Sequence, residues 1–253
     1  GTSMGVPQIG CDCAVCRSED PRDRRTRTSA LVESGNTRLL IDTSPELRLQ
    51  LLAAGVGDVD AVLYTHLHAD HVHGIDDLRS ISVARGTTIP LYGPAQTVEH
   101  LRNSFGYIFD DNVVPVPGTS KPRLEAQILT PGQVANIAGI DVLPLAFDHG
   151  NANVLGYRIG AIGYLTDVKR VPDEAVEALR GIEVLVINAL WWRTHPTHLS
   201  IPEAVETAAR ISARRTFLTH LTHETSHRDL LRRLPAGVEP GYDGLSIEVR
   251  GKK

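Results

Sequence analysis

The sequence predicts an α/β domain in which two sheets pack face to face with helices outside, a four-layer αβ/βα sandwich. Short apolar runs typical of strands recur along the chain, and helical segments separate many of them. Several strand-like runs between residues 126 and 165 follow one another without a helix, which indicates hairpins. A length of 253 residues suits one layered unit, so residues 1–253 are predicted to form a single domain.

The first half of the chain alternates predicted strands and helices. Gly55 marks the end of the first helix. Residues Phe105–Pro122 are rich in Pro, Gly, Asp and Asn and indicate a long loop, either a lid or a contact between two copies in a homodimer. The predicted elements are strands Thr37–Ile41, Ala61–Thr65 and Thr88–Tyr92, and helices Pro45–Ala54 and Gln96–Arg102.

The second half begins with strands and then mixes helices and strands. Gly160 lies where a tight turn between two antiparallel strands is expected. Ser200 and Glu203 form a capping box, and Pro202 lies in the first turn, so Ser200–Ile211 is predicted as a helix. The other helices are Pro172–Arg180 and Leu230–Leu234, and the strands are Ala126–Leu129, Ile140–Phe147, Val154–Ile159, Ala161–Leu165, Val184–Ile187, Phe217–Thr219 and Leu245–Val249.

Composition and charge narrow the functional classes. The formal net charge is −4, which gives no support for the basic face of a long nucleic acid partner. The sequence has neither an apolar run of membrane-spanning length nor an export signal, so we expect a cytoplasmic protein with no membrane partner. The run Arg22–Arg27 holds four arginines and indicates either a solvated loop or an anion-attracting flap near a phosphate site.

The candidate chemistry is concentrated in residues 65–74, which read THLHADHVHG. His66, His68, Asp70 and His71 follow a predicted buried strand at once. Imidazole and carboxylate ligands suit zinc, manganese or iron. This spacing offers ligands to two ions from a single loop. His73 adds nothing that the other four need, and it is expected to support a ligand or to lie on the surface.

Two metal ions need more than four ligands, and the remaining candidates follow later strands. His149, Asp167 and His220 each lie just beyond a predicted strand, and the carboxylate of Asp167 is placed to bridge both ions. Asp42 and Asp243 are candidates to accept hydrogen bonds from ligand histidines, with a turn or cap role as the equal alternative.

The full pattern resembles the signature of the metallo-β-lactamase superfamily, and the resemblance covers nearly the whole chain. It implies the metallo-β-lactamase fold and two divalent ions in the active site, manganese, zinc or iron. It also implies a division of the ligands: His66, His68 and His149 for the first ion, Asp70, His71 and His220 for the second, and Asp167 as the bridge.

The cysteines form a second pattern near the start of the chain. Cys11, Cys13 and Cys16 are odd in number and closely spaced, which disfavours disulfides and favours metal ligands. With Gly1-Thr2-Ser3-Met4-Gly5-Val6-Pro7 before them, they look like the PhnP group, phosphodiesterases that open a phosphoribosyl 1,2-cyclic phosphate. That resemblance implies a structural zinc completed by His223, a closed Cys₃His site. His227 is a weaker alternative ligand.

The resemblance carries two further expectations. Related chains begin with a short strand before the Gly-Thr pair, so an N-terminal strand is expected to be missing from this sequence. Asp70 and His198 are the expected catalytic residues. His198 precedes the capped helix, matches a catalytic histidine of the group, and would give a proton to the leaving alkoxide of a small phosphodiester attacked by hydroxide at the two ions. His195 remains a competitor.

Other functions remain open on the same scaffold. A tRNA 3′-end endonuclease needs a basic extension that this sequence lacks, and β-lactamases or thioester hydrolases usually lack the cysteine segment. A non-catalytic accessory protein of the pyrroloquinoline quinone type also carries clustered cysteines. The intact ligand set of residues 66–71 argues against a retired active site. About three metal ions per chain would indicate catalysis plus a structural zinc, and one would indicate an accessory role.

Overall fold

The computed structural model describes residues 1–150 and 152–250, which form two β-sheets. The first sheet has five strands in the spatial order β1-β2-β3-β4-β5. Strands β1 and β2 are antiparallel, and the other neighbours are parallel. These strands are β1 (Ala30–Ser34), β2 (Thr37–Ile41), β3 (Ala61–Leu63), β4 (Ile89–Gly93) and β5 (Leu124–Ile128).

The second sheet has seven strands in the order β12-β11-β10-β9-β8-β7-β6. Strands β6 to β9 are antiparallel neighbours, which confirms the hairpins predicted for residues 140–165, and β9 to β12 are parallel. These strands are β6 (Ala135–Ile137), β7 (Ile140–His149), β8 (Ala152–Ile159), β9 (Ile162–Leu165), β10 (Val184–Asn188), β11 (Arg215–Thr219) and β12 (Val238–Pro240). The predicted strand Ala126–Leu129 is not part of a hairpin, because it falls on β5, which pairs in parallel with β4 in the first sheet.

Helices pack on the outer faces of both sheets. The apolar faces of α1 to α5 share a hydrophobic cluster with the first sheet, and those of α6 to α8 share one with the second sheet. None of the helices in the described ranges has the length and apolar character needed to cross a membrane. The helices are α1 (Leu47–Ala54), α2 (Ala69–Val72), α3 (Leu78–Arg85), α4 (Ala95–Ser104), α5 (Gly106–Phe109), α6 (Asp173–Leu179), α7 (Ile201–Ile211) and α8 (His227–Arg233).

Strand β2 shows how one strand serves two layers of the core. Leu40 packs in the cluster beneath the helices of the first sheet, whereas Leu39 and Ile41 pack between the sheets. There they share a cluster with Tyr157 of β8 and Tyr164 of β9. Because successive side chains of a strand point to opposite faces, this alternation joins helix, sheet, sheet and helix into four layers. The predicted αβ/βα sandwich is confirmed.

Two predicted elements need correction. Leu245–Val249 was predicted to be the final strand, but it has no regular structure, and the last strand is Val238–Pro240. Strand β12 takes the edge beside β11, and the alternating side chains of residues 245–249 lie at or near the surface, so no buried face holds this segment against the sheet. The predicted Phe105–Pro122 loop is largely irregular but contains the one-turn helix Gly106–Phe109.

Candidate active site and metal centres

The loop between β3 and α2 carries the first four candidate ligands. His66 and His68 lie in the extended segment before α2, and Asp70 and His71 lie on the helix itself. His66 Nε2 is 3.0 Å from His68 Nδ1. Because the chain turns into the helix after His68, this short segment presents side chains to two neighbouring positions.

Three later strand ends complete the cluster around one carboxylate. Asp167 Oδ1 lies 3.2 Å from His220 Nε2 and 4.0 Å from His149 Nε2, and its other oxygen lies 3.3 Å from His71 Nε2. All seven side chains predicted for the dinuclear site are therefore brought together. Their ligand atoms fall into overlapping groups within 4.8 Å: His66, His68 and His149; His66, His71 and Asp167; and Asp70, His71 and His220.

Three acidic or imidazole residues at the site have a left-handed backbone. The φ angles of Asp42, Asp167 and His220 are 60°, 55° and 56°. Residues with a Cβ seldom adopt positive φ, and such strained positions concentrate at functional sites. Each of the three comes shortly after a strand, where the chain must turn sharply if the side chain is to stay at the sheet edge.

Buried hydrogen bonds orient two of the imidazoles. Asp42 is fully buried, and its Oδ2 accepts a hydrogen bond from His71 Nδ1 at 2.8 Å. Thr65 donates to the same carboxylate through its backbone N–H at 2.7 Å and its hydroxyl at 2.8 Å. His149 Nδ1 donates to the carbonyl of Thr197 at 2.9 Å. With Nδ1 engaged by an acceptor, Nε2 of each ring is directed at the cluster.

The charges of the cluster favour metal-binding protonation states. Burial opposes the charge on Asp167, but His220 and His71 outweigh it and hold the pKa of the carboxyl well below its usual range. Burial lowers the pKa of His66 and of His68, which keeps these rings neutral. An ionised carboxylate and neutral imidazoles are the forms that bind metal ions. Burial would lower the pKa of His71, but Asp167 and Asp42 outweigh it and raise that pKa well above its usual range, so this ring must lose a proton when an ion binds.

Unsatisfied nitrogen atoms provide an independent test of whether ions fit here. Within the described ranges, His71 Nε2 and both ring nitrogens of His220 are buried without a well-formed hydrogen bond. Buried polar atoms usually have a partner, so these nitrogens are short of one. Imidazole and carboxylate donors that converge in this way fit divalent ions of the zinc, manganese or iron type.

The cluster opens into a cavity of about 730 Å³. His198 lines this cavity, with Nε2 3.0 Å from Asp167 Oδ1 and Nδ1 2.9 Å from the hydroxyl of Thr197. His195 touches His198 from behind, with their Nδ1 atoms 3.2 Å apart. Of the two competing histidines, His198 is thus the one in contact with the cavity and with Asp167.

Sequence reasoning missed several side chains of the cavity wall. Ser3 and Gln96, both exposed, line the cavity together with Leu67. Gln96 lies in the first turn of α4, and Ser3 belongs to the N-terminal loop, which Arg27 holds through a bond to the Ser3 carbonyl at 3.2 Å. Ser3 and Leu67 lie within segments singled out in the sequence, but no local pattern shows that they reach the cavity, because the packing of the loops decides that.

The cysteines form a second, separate cluster. His223 Nδ1 lies 3.5 Å from Cys11 Sγ and 3.3 Å from Cys13 Sγ, and these atoms and Cys16 Sγ all lie within 4.8 Å of one another. This donor set matches a closed tetrahedral zinc site. His227, the weaker alternative ligand, is instead buried with its ring 5.5 Å from Tyr242.

Other side chains singled out in the sequence lie elsewhere. Asp243 does not orient a ligand, since its carboxylate accepts bonds from the backbone N–H and hydroxyl of Thr26 at 2.8 and 2.6 Å. His73 is exposed and packs edge-on against Phe105. The Arg22–Arg27 run is not uniformly a solvated loop or an anion-attracting flap, because one of its arginines is buried.

Known proteins resemble this chain in fold and over most of its length. Residues 37–221 match the family model of the β-lactamase superfamily domain. A crystal structure described as a new diphosphatase from the PhnP family is 40% identical, with a TM-score of 0.89, over 97% of this chain and 92% of that one. The chain belongs to the PhnP family of the metallo-β-lactamase superfamily. It is therefore a metallo-β-lactamase-fold hydrolase, and this fold implies divalent metal ions.

Two curated relatives widen the comparison for this PhnP-family chain. An octanoyltransferase of Porphyromonas gingivalis is 42% identical over all of this chain and 51% of its own length, so the chain spans about half of that relative. A ribonuclease Z of Methanopyrus kandleri is 28% identical over 91% of the chain and 94% of its own length.

Proposed function

We propose that this chain is a dinuclear, metal-dependent phosphodiesterase that hydrolyses a small phosphodiester, such as a cyclic ribosyl phosphate. The observation that carries the proposal is the convergence of seven ligand-type side chains, Asp167 among them, at the floor of an open cavity. The likeness to a PhnP-family diphosphatase supports phosphoryl chemistry. A cavity of about 730 Å³ has the size of a small-molecule site.

The side chains divide into two ligand sets with a shared member. His66, His68 and His149 would hold one ion, Asp70, His71 and His220 the other, and Asp167 both. Two divalent ions supply Lewis acidity toward phosphate oxygens and make hydroxide accessible near neutral pH. Asp42 and the Thr197 carbonyl keep Nε2 of His71 and His149 directed inward, so these rings need little reorientation when metal ions bind.

His198 is the proposed proton donor to the leaving alkoxide. Its Nδ1 is in hydrogen-bond contact with the Thr197 hydroxyl, and its Nε2 faces the cavity beside Asp167. When the hydroxyl donates to Nδ1, the ring proton resides on Nε2, where a substrate oxygen can receive it. Asp70 lies across the cluster, 3.7 Å from His220 Nε2, and combines its role as a ligand with contact to the reacting centre.

A second candidate function is hydrolysis of a phosphoric anhydride, and the likeness to the PhnP-family diphosphatase supports it. Octanoyl transfer belongs to the whole Porphyromonas gingivalis relative, of which this chain matches about half. The apolar cavity wall includes Leu67 and Ala152, which is little surface for an eight-carbon chain. Precursor tRNA processing finds no support in the net charge of −4.

A metal-reconstituted substrate panel tests the proposal. The metal-free chain is reloaded with Mn²⁺, Zn²⁺ or Fe²⁺ and assayed on a cyclic ribosyl phosphodiester, a bis-aryl phosphate, a diphosphate diester, precursor tRNA, an octanoyl thioester and a chromogenic cephalosporin. We expect metal-dependent turnover of the phosphodiesters, with about three ions per chain. Asp70→Asn, which alters a ligand, should abolish most of it.

The panel also separates the alternatives. Faster cleavage of the diphosphate than of any diester would replace the phosphodiesterase proposal with a diphosphatase. A single bound ion and no turnover of any substrate would favour an accessory protein of the pyrroloquinoline quinone type.

A further inference from the structure

Arg25 differs from the other arginines in the Arg22–Arg27 run because its side chain is only 2% exposed. Its backbone is held in a two-bond bridge to Val6, where each N–H donates to the other residue's carbonyl at 2.8 Å. The side chain is therefore anchored to the same N-terminal segment that carries the cysteines. A buried guanidinium is costly unless it is paired and hydrogen-bonded, so its contacts should reveal a role.

The guanidinium of Arg25 grips the loop between β11 and α8. Nη1 donates to the carbonyl of Thr222, and Nη2 donates to the carbonyl of Thr225 at 3.0 Å. These two residues flank His223, the imidazole of the cysteine cluster. Asp23 Oδ1 lies 3.3 Å from Nη2 and also accepts the backbone N–H of His227 at 2.6 Å, which closes the network at the start of α8.

We propose that Arg25 is a positioning residue that fixes the loop carrying His220 and His223 and thereby couples the two candidate metal centres. The loop from His220 to Ser226 has no helical or strand hydrogen bonds of its own. A planar guanidinium can engage two carbonyls at once, which a lysine ammonium cannot do with the same geometry. The His220 part of this inference rests on the proposed dinuclear function, whereas the His223 part does not.

Charge adds a second reason for an arginine at this position. Three thiolates around one divalent ion leave the cysteine cluster one unit negative. A guanidinium stays protonated in proteins, so Arg25 brings a fixed positive charge to this part of the chain.

Cobalt substitution in the full-length chain tests this role directly. Co²⁺ bound to thiolates gives a charge-transfer absorption band that reports the cysteine cluster alone, and total metal content reports both centres. We expect Arg25→Met to weaken Co²⁺ binding at the cysteines by roughly 10- to 100-fold, the range for lost support of a metal ligand. The Co²⁺ affinity of Arg25→Lys should fall between those of the wild type and Arg25→Met, because lysine keeps the charge but cannot donate to both carbonyls with the same geometry. Arg24→Met, a neighbouring exposed arginine, is the matched control.

The variants give outcomes that separate positioning from general stabilisation. A lower melting temperature with an unchanged cobalt titration in both Arg25 variants would overturn the proposal. If Arg25→Met does not fold, Arg25→Lys decides: weaker binding supports positioning, and wild-type binding overturns it. If the wild-type chain turns over no phosphoester, the proposed function fails, yet the cobalt titration at the cysteine cluster still judges Arg25.

Discussion

The two candidate metal centres each take a ligand from one loop, His220 and His223, but they differ in how the other ligands are brought together. The cysteine cluster gathers three thiols from six consecutive positions and closes them with His223. The dinuclear cluster gathers seven side chains from ends of strands in both sheets, shares Asp167 between its halves, and opens into a cavity. A closed set serves structure, whereas an open set leaves positions for a substrate.

The contrast also appears in what holds each centre. The cysteine cluster holds a largely irregular N-terminal segment, and three of its four donors are near one another in sequence whatever the fold. The dinuclear cluster depends on the fold, since Asp42, Asp167 and His220 each need a left-handed turn after a strand to face inward. Removal of metal from the cysteine cluster should therefore loosen the N-terminal loop, whereas removal of metal from the dinuclear cluster should abolish hydrolysis.

The largest effect is expected from Asp167→Asn. The carboxylate oxygens of Asp167 contact His71 and His220. An asparagine amide keeps the shape of this side chain but loses its charge between the two ligand sets. Turnover of the best phosphodiester should fall by roughly 10³-fold, as when a group that acts on developing charge is removed. Steady-state kinetics and metal analysis provide the measurement. Asp148→Asn, an exposed carboxylate of β7, is the control. Wild-type turnover in Asp167→Asn would show that the charge of this carboxylate is not needed between the two ligand sets.

The next largest effect is expected from His198→Ala. A proton donor typically contributes about 10²- to 10⁴-fold, and we expect a loss of turnover at the lower end of that range, about 10²-fold, while both active-site ions are kept. His195→Ala is the matched control, because His195 contacts His198 without lining the cavity, and we expect it to cost less than about tenfold. Unchanged turnover in His198→Ala would remove this residue from the mechanism.

Much of the site could be predicted because its ligands belong to the local motif of residues 66–71 or follow apolar strands. The seven ligand-type residues, His223 and the sandwich architecture all came from the sequence. The side chains that come together only by packing did not. Arg25 looked like one more surface charge within a basic run, and burial by a distant loop carries no local signal. Leu245–Val249 alternates like a strand, but alternation cannot show that β12 already occupies the edge.

A smaller effect is expected from Asp42→Asn. The fully buried carboxylate accepts from His71 Nδ1 at 2.8 Å, so its loss removes the charge that keeps Nε2 directed at the cluster. Metal affinity should weaken by about 10- to 100-fold, measured by competition with a chelator. Asp243→Asn, whose carboxylate bonds to Thr26, should bind metal as the wild type does. Equal affinity of Asp42→Asn and wild type would show that His71 needs no such support.

The smallest effect concerns the thiols of the metal-free chain. The hydrogen bond from His223 lowers the pKa of Cys13 to about 6, whereas burial raises the pKa of Cys16 to about 11. At pH 7 an alkylating reagent should therefore label Cys13 at least about tenfold faster than Cys16, because the thiolate is the nucleophile. The depressed pKa of Cys13 also means that its ionisation favours folding fully above pH 9 and that this contribution declines as the pH falls toward 6. Mass spectrometry of labelled peptides from pH 5 to 9 measures the ratio. Zinc should protect both thiols, and equal labelling of the metal-free chain at pH 7 would show that His223 does not polarise the cluster before metal binds.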